Sequence, residues 1–270
     1  MKEIKKIPTE RLSIISALII LNYALMPFIV SPQISINYSL FGFVIDFQIE
    51  YANLMVITAA LFAAVGTYWL IFDHPLIKKS DLFMHLILPT FTAGVMSIPL
   101  NEIQIGLAWW IVFTLESLII IFTFIAEFYS IDQDNSLYAL SLIIIQPLAI
   151  SLFLLIAITT RSAGYRLYIQ ALLLVITFTA ICRRMLALLE RDNKNALTAL
   201  SAFIFAHVII TCHYLPMNAI TYGSTITGTV VFLIRLPFLQ DQNKKGKIQY
   251  REAFFSTLPF LLLAALFLFI

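Results

Sequence analysis

Runs of mostly apolar residues, each about as long as a bilayer is thick, recur from one end of this chain to the other, and they leave room for few folds. The run LAWWIVFTLESLIIIF is typical: too long for a buried strand, and too apolar on all sides for the surface helix of a soluble domain. A span needs roughly 20 such residues. By that measure the spans fall near 12–30, 52–72, 82–99, 105–127, 137–159, 167–182, 196–215, 219–237 and 252–269. Of the 270 residues 61% are hydrophobic and 12% charged, where soluble domains are nearer half and a quarter. No connection between the runs is long enough to build a separate soluble core. The expectation is an all-α, polytopic transmembrane helical bundle of about nine spans, forming one integral membrane domain over 1–270.

The charges orient it. With the N-terminus inside, the inner segments hold fifteen Lys and Arg residues, and the outer loops hold two, Arg161 and Arg166. Cationic loops stay on the cytoplasmic side, so this asymmetry places the N-terminus in the cytoplasm. An odd number of spans then puts the C-terminus outside the cell membrane. The basic start MKEIKKIPTER leads into Leu12–Val30, which is too long for a cleaved signal segment and lacks a small-x-small site after it. It reads as a retained anchor. Cys182 and Cys212 fall near opposite faces, too far apart for a disulfide. No zinc spacing, phosphate-binding loop or other cofactor motif occurs, so neither a metal nor a cofactor is expected. The inner basic clusters suit an anionic lipid leaflet and do not require nucleic acid.

One stretch departs from the apolar runs. In ISINYSLFGFVIDFQIE, residues 34–50, apolar and polar residues alternate. With the turn at Phe41-Gly42, Leu40 faces Phe43, Tyr38 faces Ile45, Ile36 faces Phe47 and Ile34 faces Ile49, so one face is wholly apolar. Burial of one face fixes register, and the stretch reads as a short extracytoplasmic β-hairpin between the first two spans.

Ionisable groups deep in a span are costly and call for a reason. Glu116, near the middle of the fourth span, and His207, near the middle of the seventh, lie at similar depths. If their helices touch, the two form an intramembrane pair able to relay protons or act as acid and base. The plainer alternative is that each bonds a neighbouring hydroxyl (Thr114, Ser117, Ser201 or Thr211) or a backbone group, with Glu116 protonated. Asn22, Gln146 and Gln170 read as amides joining helices, and His85 and Asp81 belong near the inner end of the third span, close to water. On the outer side Arg161, Arg166, Glu102 and His213 gather, with Tyr165, Tyr168, Tyr214 and Tyr222. The two arginines run against the charge rule, which marks them for a task such as holding an anionic headgroup or pairing with Glu102. The tyrosines also suit a plain interfacial belt. In the eighth span, Ser224 and Gly228 make a small-xxx-small pair suited to a tight helix seam.

The runs GTYWLIFDHPLIKKSDLFMHLILPTFTA, LAWWIVF, AEFYSIDQDNSLYAL, HYLPMNAITYG and YREAFFS, in that order, resemble the landmarks of an uncharacterised family of bacterial multi-pass membrane proteins, a domain of unknown function. The resemblance implies one helical membrane domain in a bacterial inner membrane, with no assigned activity and no catalytic residue to carry over.

A retinal protein is excluded because every Lys lies in a loop or tail, and a prenyltransferase because Asp132-Gln-Asp134 has no second aspartate-rich partner. Three readings remain. The first is a non-catalytic membrane component or scaffold, meeting a membrane protein partner through the 34–50 hairpin or the 219–237 helix. The second is a small permease or lipid-handling carrier with Glu116 and His207 in a central cavity. The third is an intramembrane enzyme acting on a lipid-linked substrate. The lack of any motif favours the first and leans away from an enzyme. Cysteine labelling or reporter tags should place the two termini in opposite compartments, and finding both in one would remove the nine-span topology.

Overall fold

The structure is a computed structural model that describes residues 7–28, 34–40, 43–49, 51–77, 79–188, 194–240 and 246–267. Its contacts divide the chain into two units, Met1–Ile145 and Gln146–Ile270.

The first unit contains α1 (Thr9–Leu25), a short 3-10 turn (Met26–Phe28), β1 (Ile34–Leu40), β2 (Phe43–Ile49), α2 (Tyr51–Ile71), α3 (Lys79–Glu102), α4 (Leu107–Tyr129) and the start of α5 (Tyr138–Ser162). Helices α1 to α4 all pack on one another. Their core combines small residues, Ala59, Ala63 and Ala93, with large ones, Ile19, Tyr23, Trp109, Phe124 and Phe128. Small residues let backbones approach closely. Gly66 on α2 takes this furthest, because a Cβ there would strike the Cγ2 of Ile15 on α1 and lie 2.9 Å from its Cγ1. Helix α3 passes through Pro89 and Pro99 without ending. Next to the first proline, the hydroxyls of Thr90 and Thr92 donate to the carbonyls of Leu86 and Leu88 at 2.7 and 2.8 Å.

β1 and β2 pair antiparallel with Ile34 opposite Ile49, Ile36 opposite Phe47 and Tyr38 opposite Ile45, the register given by the alternating pattern. The expected turn at Phe41-Gly42 and the apolar face of these strands lie outside the described residues and side chains. So do Lys2, Lys5, Lys6, Lys78, Arg191, Lys244 and Lys245, whose sidedness fed the charge count.

The second unit holds the rest of α5, then α6 (Leu167–Ala187), α7 (Lys194–His213), α8 (Ala219–Gln240) and α9 (Gly246–Leu266). Gly164, at φ +63, lets the chain leave α5 in the left-handed conformation that glycine adopts at little cost. Phe178, Phe205 and Phe153 centre the core, with ring centroids 4.5 and 5.7 Å from Phe205. The small residues of α8 are spent inside the unit. Gly228 lies against Phe260 of α9, and Gly223 against Ile158 of α5, whose Cγ1 would be 2.5 Å from an added Cβ. The seam expected at Ser224 and Gly228 is therefore with α9.

Large apolar side chains also cover the outer faces of the helices, among them Leu21, Val65, Leu115, Ile143, Leu172, Ile176 and Phe203. Helices apolar on every side fit a membrane. Eight of the nine helices among the described residues are long and apolar enough to cross one. The expected ninth span, 252–269, falls on α9, and its last residues lie outside the described ones; the described part of α9 is not by itself long and apolar enough to cross.

Gly66→Ala should destabilise the chain by about 1–3 kcal/mol through overpacking. In thermal unfolding of the purified protein, Gly66→Ala/Ile15→Ala should be more stable than the two single losses add to, and strict additivity would place the clash elsewhere.

Candidate functional site

Glu116 faces the interior of the first unit and is 4% exposed. The nearby hydroxyls do not reach it. Ser117 donates to the Phe113 carbonyl at 2.7 Å and Thr114 to the Trp110 carbonyl at 2.8 Å, each closing on its own helix. Its Oε2 has no hydrogen-bond partner among the described residues. The Tyr23 phenol lies within electrostatic reach of Glu116 and donates to the Ala93 carbonyl at 2.8 Å. His207 belongs to the second unit and lies on an exposed face of α7, its Nδ1 2.8 Å from the Phe203 carbonyl of its own helix. Its ring packs on Phe203 at 4.5 Å.

The first unit holds a different buried ionisable pair. His85 Nδ1 is 2.9 Å from Glu127 Oε2, and the two side chains are 9% and 0% exposed. His85 sits in the second turn of α3 and Glu127 in the last turns of α4, which neighbouring antiparallel helices bring to one level. The sequence places His85 near water at the inner end of the third span and Glu127 at the very end of the fourth, 105–127. The usable signal was that α4 runs on to Tyr129, so Glu127 is a helical residue. Close by, His74 is buried edge-on against Phe128, with ring centroids 5.1 Å apart. At the surface Arg11 bonds Asp73 at 2.7 Å and the Trp69 carbonyl at 2.8 Å. That pair is exposed enough to add little stability. Asn22 serves as the joining amide expected of it: its Nδ2 donates to the Met55 carbonyl at 2.9 Å, and its Oδ1 accepts from Thr58 at 3.2 Å.

In the second unit one end of the helices collects the outer polar group. The C-terminal turns of α5 and α7 and the N-terminal turns of α6 and α8 meet there. The Arg161 guanidinium donates to the carbonyls of His213, Leu215 and Met217 at 3.3, 3.4 and 3.4 Å. It also lies 5.0 Å above the Tyr222 ring. His213 Nδ1 is 2.8 Å from Gln170 Oε1, and since that oxygen only accepts, Nδ1 carries the hydrogen. Gln170 and Tyr222 are fully buried, and neither Gln170 Nε2 nor the Tyr222 hydroxyl has a partner among the described residues. Each orphaned buried group costs about 1–3 kcal/mol. The structure brings Arg161 and His213 together. Arg166 is exposed and its described bonds come from its backbone, which starts α6, while Glu102 is exposed at the end of α3 in the first unit.

Gln146 lines a narrow cleft between α5, α6 and α8, with Ile181, Met185, Val231, Ile234 and Arg235. Its volume is about 20 Å³, room for about one water. Cys182 and Cys212 are both buried free thiols. Among the described residues no three His, Cys, Asp or Glu side chains converge on a point that could hold a metal ion.

These features define a class, a helical protein with eight helices among the described residues fit to cross a membrane, and with polar side chains turned inward. The chain belongs to the family described as Protein of unknown function (DUF5656), whose model matches residues 30–269. No curated protein and no solved structure matches it.

Removing either member of the His85–Glu127 pair should cost about 3–5 kcal/mol, because it strands a buried polar partner. Unfolding of His85→Ala, Glu127→Ala and the double variant should give a coupling above about 1 kcal/mol. A coupling near zero would mean that the two groups act separately.

Proposed function

We propose that this chain is a non-catalytic component of a cell membrane, one integral domain with its N-terminus in the cytoplasm and its C-terminus and the 34–50 hairpin outside. One observation carries the reading. Four polar contacts within the candidate spans join one helix to another, Asn22 to Met55, Tyr23 to Ala93, His85 to Glu127 and Gln170 to His213, and most hydroxyls close on carbonyls of their own helix. A carrier needs polar groups free to meet a solute, and an enzyme needs several converging on one. The cleft beside Gln146 has room for about one water. Small residues of α8 are occupied by α5 and α9, so the hairpin and the outward apolar faces remain for lipid and a membrane protein partner.

One observation favours the carrier reading instead. Glu116 is buried with an oxygen that nothing among the described residues satisfies, as a proton-binding carboxyl would be. His207, on an exposed face, is not needed for it.

Proteoliposomes containing a pH-reporting dye separate the two. With a potassium gradient and an ionophore driving charge, the wild type, Glu116→Gln and His207→Ala should all leak protons no faster than empty vesicles. Flux that is present in the wild type and lost in Glu116→Gln would replace the scaffold with a proton-coupled carrier.

A further inference from the structure

We infer that the Arg161 end of the second unit is an oxyanion-binding site, taking a phosphate group such as that of a lipid headgroup. The charge comes first. Arg161 is half-buried, and among the described residues no carboxylate lies within ion-pairing distance of it. Its described bonds are three long ones to neutral carbonyls, which leave its charge uncompensated. A guanidinium in this state is a receptor for a planar or tetrahedral oxyanion, which it can grip with two parallel N–H groups.

The donors around it come second. Tyr222 lies under the guanidinium, fully buried, with its hydroxyl unpartnered. Gln170 is also fully buried. Its Oε1 is fixed by His213, which leaves its Nε2 hydrogens without an acceptor. His213 joins this amide to the same turn of carbonyls that holds Arg161. A cation and two orphaned donors, with no acid among them, form a set that lacks an acceptor of negative charge. Three such groups are supplied by helices α5, α6 and α8, so the arrangement belongs to the tertiary fold and to no single helix end.

Depth is the third part, and it rests on the membrane reading above. Tyr165, Tyr168 and Tyr214 stand exposed at this end of the unit, where an interfacial tyrosine belt would lie. A phosphate at headgroup level meets Arg161 there without leaving the lipid layer. The same donors would accept a free phosphate from solution, so the source is a matter for experiment.

The test uses the full-length chain, delipidated in neutral detergent. Native mass spectrometry should show one retained phosphatidylglycerol and no retained diacylglycerol of the same acyl chains. Arg161→Gln should weaken retention about tenfold or more, as loss of a charge-assisted pair implies. Because Arg161 also ties down the turn at His213–Met217, Tyr222→Phe provides a second arm. It removes an orphaned donor without touching those ties, and it should weaken retention about threefold. In parallel, inorganic phosphate is added to a thermal unfolding assay. Stabilisation that disappears in Arg161→Gln also supports the site and assigns it to a soluble oxyanion. If neither probe responds to Arg161, or if diacylglycerol is retained as well as phosphatidylglycerol, the inference is overturned. Proton flux plays no part in either readout, so its outcome and that of the scaffold reading stay separate.

Discussion

The outward placement of apolar side chains is the constraint on which the rest of this structure depends. Leu21, Val65, Leu115, Phe122, Ile143 and Leu172 stand on the outer faces of their helices, where a soluble protein would place charge. A surroundings that offers no hydrogen bonds forces every backbone N–H and C=O to be satisfied within the chain, and a helix does this segment by segment. It also removes the hydrophobic gain from packing one helix on another, because the surroundings are as apolar as the core. Close backbone approach and inward polar bonds then carry the specificity. Gly66 against Ile15, Gly223 against Ile158 and Gly228 against Phe260 supply the first. Asn22, Tyr23, His85 and Glu127 supply the second.

Polar groups in the two units differ in how completely they are satisfied. At the end of α4 the His85–Glu127 pair is closed and buried. Halfway along the same helix Glu116 keeps an unsatisfied oxygen. In the second unit Arg161 is a cation with no carboxylate partner among the described residues, and orphaned atoms on Gln170 and Tyr222 include donors. An unsatisfied acid oxygen suits a proton or a cation, whereas a guanidinium with no carboxylate partner suits an anion. The chemistry of the two places is therefore opposite in sign, and a single solute would not suit both.

Much of the architecture was legible because it depends on patterns that are local along the chain. Run length placed the helices, and a period of two residues placed β1 against β2 with Ile34 opposite Ile49. The candidate site was legible only in part. Arg161 and His213 were marked together because both lie where a connection meets a helix end, and chain reversal brings such ends together. His85 and Glu127 were passed over because each falls near the end of its expected span, where water would satisfy it. His207 was paired with Glu116 on depth alone, and depth carries no information about which way a side chain points around its helix.

That distinction separates what each level decided. By itself the sequence determined the class, the positions of the helices and the charge asymmetry between their ends, because apolar length and cationic placement act residue by residue against the surroundings. The tertiary structure alone decided which polar groups meet. It closed His85 on Glu127, turned His207 outward, and set Tyr222 beneath Arg161. Rotation about a helix axis is fixed by packing against neighbours, and in helices that are apolar on every side the amphipathic pattern that would announce it is missing.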